Sequence, residues 1–95
     1  MEKRESMTRQ ELCRAAISKF GKEAQTRKAV EELTELSLAL QHSAKGKTSY
    51  DNISEEIADV RFMLDQLEIM YDAAGRVEYW SQEKHKRLET IVSHK

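Results

Sequence analysis

Apolar residues recur along most of the chain every three or four positions, the spacing of a helix with one buried face. Leu12, Ala16 and Phe20 repeat at i, i+4, and Thr8 with Glu11 makes a capping box ahead of them, so a first helix is predicted from about Arg9 to Phe20. A second is predicted from about Ala24 to Lys45, with Ala29, Leu33, Leu36 and Leu40 as its stripe. The third carries the cleanest heptad, through Ile53, Ile57, Val60, Leu64, Leu67, Tyr71 and Ala74, and is expected to begin at Asn52 as N-cap with Glu55 at N3. A fourth is predicted from about Val77 to Val92, with Val77, Trp80, Lys84, Leu88 and Ile91 on or near one face. Gly21, Gly46 and Gly75 each follow a helical pattern, where a left-handed residue ends a helix. They divide the chain into four helices with short connections, Lys45-Gly46-Lys47-Thr48-Ser49 being one of the turns. No segment alternates with the period of a strand.

The predicted fold is therefore all-α: a four-helix antiparallel bundle in one domain, residues 1–95, or a dimer-forming part of such a bundle. A chain this short buries only roughly 60–65% of the surface its unfolded form exposes. Broad apolar faces on so small a core favour completion by pairing between subunits. The absence of proline, the three glycines and the 35% of charged residues agree with long helices.

Charge narrows the function. Sixteen Lys and Arg against seventeen Asp and Glu leave a net −1, which argues against bulk affinity for nucleic acid or an acidic membrane surface. The basic clusters, Lys3-Arg4 and Lys84–Arg87, are short and read as solvated charge. The single Cys13 lies in an apolar helical pattern, can form no intramolecular disulfide, and is expected to be a small core residue in a reducing compartment. No apolar run approaches the roughly 18 residues of a membrane span, and Met1–Met7 lacks the apolar stretch of a signal peptide. A cytoplasmic location is expected.

The informative feature is an acidic repeat. Glu31-Glu32-Leu33-Thr34-Glu35-Leu36 aligns with Glu55-Glu56-Ile57-Ala58-Asp59-Val60 at an offset of 24 residues. On a helix Glu32 and Glu35 share one side at the edge of the apolar stripe, and Glu56 and Asp59 take the same two offsets in the next helix. An antiparallel hairpin brings the two pairs to similar depth. Four carboxylates beside an apolar seam repel strongly unless a cation sits among them, and an all-oxygen set suits Mg²⁺, or Mn²⁺. Glu31 and Glu55 lie further from the seam. A di-iron bundle would need Glu-x-x-His pairs, and none of His42, His85 and His94 follows an acid by three.

These residues resemble the signature of the MazG-type, all-α NTP pyrophosphatase superfamily: Glu-Glu-x-x-Glu, a variable spacer, then Glu-x-x-Asp. Glu31-Glu32-x-x-Glu35 and Glu56-x-x-Asp59 fit it. Gly21 with Gln25, Asp51-Asn52, and the late basic pair Lys84 and Arg87 extend the likeness over roughly residues 16 to 90. The resemblance implies hydrolysis of a nucleoside triphosphate between its α and β phosphates, giving a monophosphate and pyrophosphate. Carried over, Glu32, Glu35, Glu56 and Asp59 are the expected Mg²⁺ ligands, with Glu35 and Glu56 as catalytic groups and Glu35 a candidate to orient the attacking water. Lys84 and Arg87 are expected at the phosphates, Lys45 and Lys47 being second choices. His42 and Trp80 are candidates beside the nucleotide. A homodimer or a dimer of dimers is expected, with no nucleic-acid or membrane partner. Two other readings stand beside this one: phosphoribosyl-ATP pyrophosphohydrolase, a sibling in the same superfamily, and a non-catalytic helical protein that dimerises through the third-helix heptad.

Overall fold

A computed structural model describes residues 6–94, so Lys3-Arg4 and most of Met1–Met7 lie outside the described residues. Those residues form four α-helices and no strand: α1 (Arg9–Phe20), α2 (Lys22–Ala44), α3 (Tyr50–Met70) and α4 (Ala74–Ser93). No described helix is long and apolar enough to cross a membrane.

Local chemistry sets the boundaries. The capping box is formed: the Glu11 N–H donates to Thr8 Oγ1 at 3.1 Å, and the Thr8 N–H donates to Glu11 Oε1 at 2.8 Å. Gly21 (φ 90°) and Gly46 (φ 70°) take the left-handed backbone expected of them, ending α1 and α2. Two expectations are corrected. The N-cap of α3 is Ser49 rather than Asn52, because the Ser49 hydroxyl already accepts the Asn52 N–H at 3.1 Å and starts the helix three residues earlier. Gly75 does not end α3 but lies in the first turn of α4. The left-handed position is Asp72 (φ 48°), a residue type that tolerates this conformation, and the Ala73 N–H behind it closes on the Glu68 carbonyl at 2.9 Å.

The antiparallel hairpin of α2 and α3 is the main packing unit. Its seam runs through Gln25, Ala29, Glu32, Leu36 and Ala39 of α2, and through Ile53, Glu56, Val60, Met63, Leu67 and Met70 of α3; all are buried or half-buried. Both series alternate steps of three and four, the spacing of a supercoiled pair. The predicted stripes are therefore only partly in the seam. Leu33 and Leu40 of α2, with Ile57 and Leu64 of α3 and Tyr71 at its C-cap, stay 41–51% exposed. On α2, Ala29 and Leu36 belong to both series, and the centre of the seam is turned by about 50° from that of the predicted stripe. Ala29 and Ala39 allow close approach in the seam, and the larger side chains flank it.

Helix α1 packs on α3: Cys13 is buried, and Arg9 pairs with Asp65 while lying over the Phe62 ring at 4.1 Å. Helix α4 touches only α3 and buries none of its residues. Val77, Trp80, Leu88 and Ile91 on its predicted apolar face are 41–61% exposed, so α4 does not close a bundle within one chain. The radius of gyration is 17.0 Å, against about 12 Å for a compact chain of this length. The accessible surface is 8138 Å², against about 5,600 Å² for a compact monomer of this mass.

Candidate metal centre

Glu32 enters the seam because it falls in the α2 series between Ala29 and Leu36; Glu35, one turn on, sits at the open edge. Glu56 takes the corresponding place in α3. The hairpin brings these three together, one carboxylate oxygen from each lying within 4.8 Å of the others. Asp59 does not join that set, and its side chain is one methylene shorter than the glutamates. It remains near enough to act on Glu56 electrostatically.

Two oxygens in the cluster are anomalous. Glu32 is 7% exposed, yet its Oε2 is buried and accepts no hydrogen bond among the described residues. Glu56 Oε2 is in the same condition. A buried, unpaired carboxylate oxygen is strongly unfavourable unless a donor or a cation reaches it. Loss of water around the Glu56 carboxyl raises its pKa above the usual carboxylate range, and the charges of Glu35, Asp59, Glu32 and Glu55 push it the same way.

The donor set fits a hard divalent cation: three carboxylates, two of them with a buried, unpartnered oxygen, and the third exposed to solvent.

No protein-family model matches the chain, and neither a curated protein nor a solved structure matches it. The site itself carries the functional reading.

The other expected site residues are not gathered here. His42 is exposed, two turns beyond Glu35 on the same side of α2. Lys45 and Lys47 are exposed in the turn after it. Trp80, Lys84 and Arg87 are exposed on α4, which makes no contact with α2.

Two contributors were not singled out from the sequence as part of the site. Lys28 Nζ lies 3.3 Å from Glu32 Oε1, and that hydrogen bond, then the charge of Glu32, raises the Lys28 pKa. Its signal was present, since a lysine four residues before an acid faces it on a helix. Gln25 Nε2 donates to Gln66 Oε1 at 2.8 Å across the seam, both residues being buried. A glutamine pair inside an apolar pattern leaves no trace in sequence until the register is known; here it pins the register that aligns Glu35 with Glu56.

Proposed function

We propose that this protein is a Mg²⁺-dependent nucleotide pyrophosphohydrolase of the MazG-like type, converting a nucleoside triphosphate and water to a monophosphate and pyrophosphate. The observation that carries the reading is the gathering of Glu32, Glu35 and Glu56 oxygens within 4.8 Å of one another, Glu32 and Glu56 each also having a buried oxygen without a hydrogen-bond partner. That arrangement supports a resident cation, and the acidic repeat that builds it resembles the signature of that superfamily.

When bound, a divalent cation supplies neutralisation of phosphate charge and a more acidic water. Glu32, Glu35 and Glu56 hold it, with Asp59 beside them. Glu35, exposed at the edge, has free lone pairs with which to orient an incoming water and accept its proton. Glu56, held in a desolvated position by the seam, fixes the opposite wall. His42, further along the same side of α2, is placed to approach the base or sugar.

The biological unit in this reading is a homodimer or a dimer of dimers. About 2,500 Å² of surface beyond that of a compact monomer is in the range a permanent interface buries. The flanks of the hairpin and the unpartnered face of α4 would supply it, and a second copy would bring Trp80, Lys84 and Arg87 toward the acidic cluster that their own α4 does not reach. The exposed apolar face also favours the second reading, a helical dimerisation protein without catalysis, in which the acids bind no cation.

The deciding experiment incubates purified protein with a panel of NTPs, dNTPs and phosphoribosyl-ATP, with and without Mg²⁺, and measures pyrophosphate release against Glu56→Gln. Mg²⁺-dependent release by the wild type alone is expected, and the productive substrate separates the MazG-like branch from its phosphoribosyl-ATP-cleaving sibling. Silence across the whole panel would refute the enzymatic reading.

A further inference from the structure

Lys45, Lys47, Lys84 and Arg87 all stand away from the acidic cluster within one chain, whereas Lys28 stands at it. Lys28 lies one turn before Glu32 on α2, its Nζ 3.3 Å from Glu32 Oε1. Several other cations of the packed helices are engaged elsewhere: Arg9 with Asp65, Lys22 over the Tyr71 ring at 4.3 Å, and Arg27 with Glu23 at 3.5 Å.

The two oxygens of Glu32 have different surroundings. Oε1 takes the ammonium of Lys28; Oε2 is buried and unpartnered, as is Oε2 of Glu56 in the same carboxylate cluster. The Glu32 side chain is 9% exposed and that of Lys28 54%, so the glutamate is fixed in the seam and the lysine spans from it to solvent. The unpartnered Oε2 of Glu32 is therefore available to a cation while Oε1 keeps the lysine. With both in place, one carboxylate separates a divalent ion from an ammonium, and the ammonium keeps two further N–H donors directed outward. An anion that bridges to the ion from the solvent side meets them.

We propose that Lys28 is a phosphate-binding residue of this site: its ammonium, held by Glu32 beside the cation, grips an oxygen of a di- or triphosphate group that the cation also contacts. The proposal rests on the reading of Glu32, Glu35 and Glu56 as a cation site for a phosphorylated ligand. It assigns the second positive charge of that site to α2 of the same chain, where no neighbouring subunit is needed to deliver it.

The probe is inorganic pyrophosphate, titrated calorimetrically into protein saturated with Mg²⁺, for the wild type, Lys28→Met and Lys28→Arg; Mg²⁺ binding alone is measured in parallel. Lys28→Met is expected to weaken pyrophosphate binding by about 10- to 100-fold, the size of one charge-assisted hydrogen bond. Lys28→Arg should recover most of it. Mg²⁺ affinity should be unchanged or tighter in Lys28→Met, since a positive neighbour is removed. A lysine that only supports Glu32 would instead lower Mg²⁺ affinity and leave pyrophosphate binding to the loaded protein unaltered, and that result overturns the proposal, as does a wild type that binds Mg²⁺ but not pyrophosphate. The outcome is separable from the fate of the enzymatic reading. Pyrophosphate binding that depends on Lys28 sustains this inference even if no nucleotide in the panel is cleaved, and cleavage that persists in Lys28→Met with unaltered pyrophosphate binding sinks it alone.

Discussion

Replacing Glu56 by glutamine keeps the shape of the side chain and removes one of the three charges that converge in the seam. Its consequence differs in sign with and without cation. In chelator, Glu56 is desolvated and surrounded by Glu35, Asp59 and Glu32, so Glu56→Gln relieves repulsion and the thermal midpoint should stay the same or rise. With cation the ordering reverses. A ligand that binds only the folded state at a hundred times its Kd stabilises that state by about 2.7 kcal/mol. For a domain of this size, each kcal/mol moves the midpoint by roughly 4–8 °C, so the wild type should gain about 11–22 °C on adding Mg²⁺. Loss of one of three protein ligands, taken as a hundredfold weaker site, leaves a gain of only about 2–3 °C at the same concentration. The assay is thermal unfolding by circular dichroism at fixed protein concentration, in chelator and in MgCl₂, for both proteins. Equal gains in the two proteins, or no gain in the wild type, would refute the cation site.

Four other outcomes are expected. Light scattering coupled to size exclusion should give at least twice the mass of one chain, and Leu64→Lys on the hairpin flank should reduce it; a monomeric wild type would remove the case for a second copy. Gly75→Ala, in a helix with nothing within 4 Å of the added Cβ, should raise stability by about 0.5–1 kcal/mol, while Gly46→Ala at φ 70° should lower it by about 1–2 kcal/mol; chemical denaturation reads both. Gln25→Leu strands the Gln66 side chain in the seam and should cost about 1–3 kcal/mol, with the double replacement by leucine recovering most of the loss in the same measurement. In chelator, the raised pKa of Glu56 means the folded state holds a proton that the unfolded state has already released above its ordinary value of 4.5; stability should therefore increase as pH falls from the folded pKa toward 4.5 and level off below it. In saturating Mg²⁺ the slope should invert, because the ligands must be deprotonated.

Where the structure follows the sequence, a short-range interaction decides the matter. Thr8 with Glu11 fixes the start of α1, the glycines at 21 and 46 supply the positive φ that ends α1 and α2, and Cys13 falls on the buried side of its turn. The acidic repeat was legible for the same reason, since a spacing of three on each helix determines a shared side before any packing is known. What was not legible depends on choices between near-equal neighbours. Ser49 and Asn52 are both good caps, and the chain takes the earlier one. Gly75 is the better left-handed residue by type, but Asp72 comes first at the point where the Ala73 N–H can close on Glu68. The phase of the α2 seam is a similar choice. Ala29 and Leu36 belong to both faces, Leu33 and Leu40 each stand one residue beyond Glu32 and Ala39, and hydrophobicity alone selects the leucines for the contact that the chain gives to Glu32 and Ala39.

That selection has a physical meaning. A hairpin that placed Leu33, Leu40, Ile57 and Leu64 in its own seam would bury far more apolar surface than one that places Gln25, Glu32, Glu56 and Gln66 there. The observed hairpin forgoes that burial and also carries two carboxylate oxygens with nothing to accept from, each a destabilising feature in a chain of marginal size. The deficit is reasonable only if other interactions restore it. The two that the structure leaves open are a cation among the carboxylates and a second apolar surface against the leucine and isoleucine flanks. The residues that make the isolated chain weak are thus the ones that would hold a cation, and the large side chains turned away from the seam are the ones that a second copy would bury.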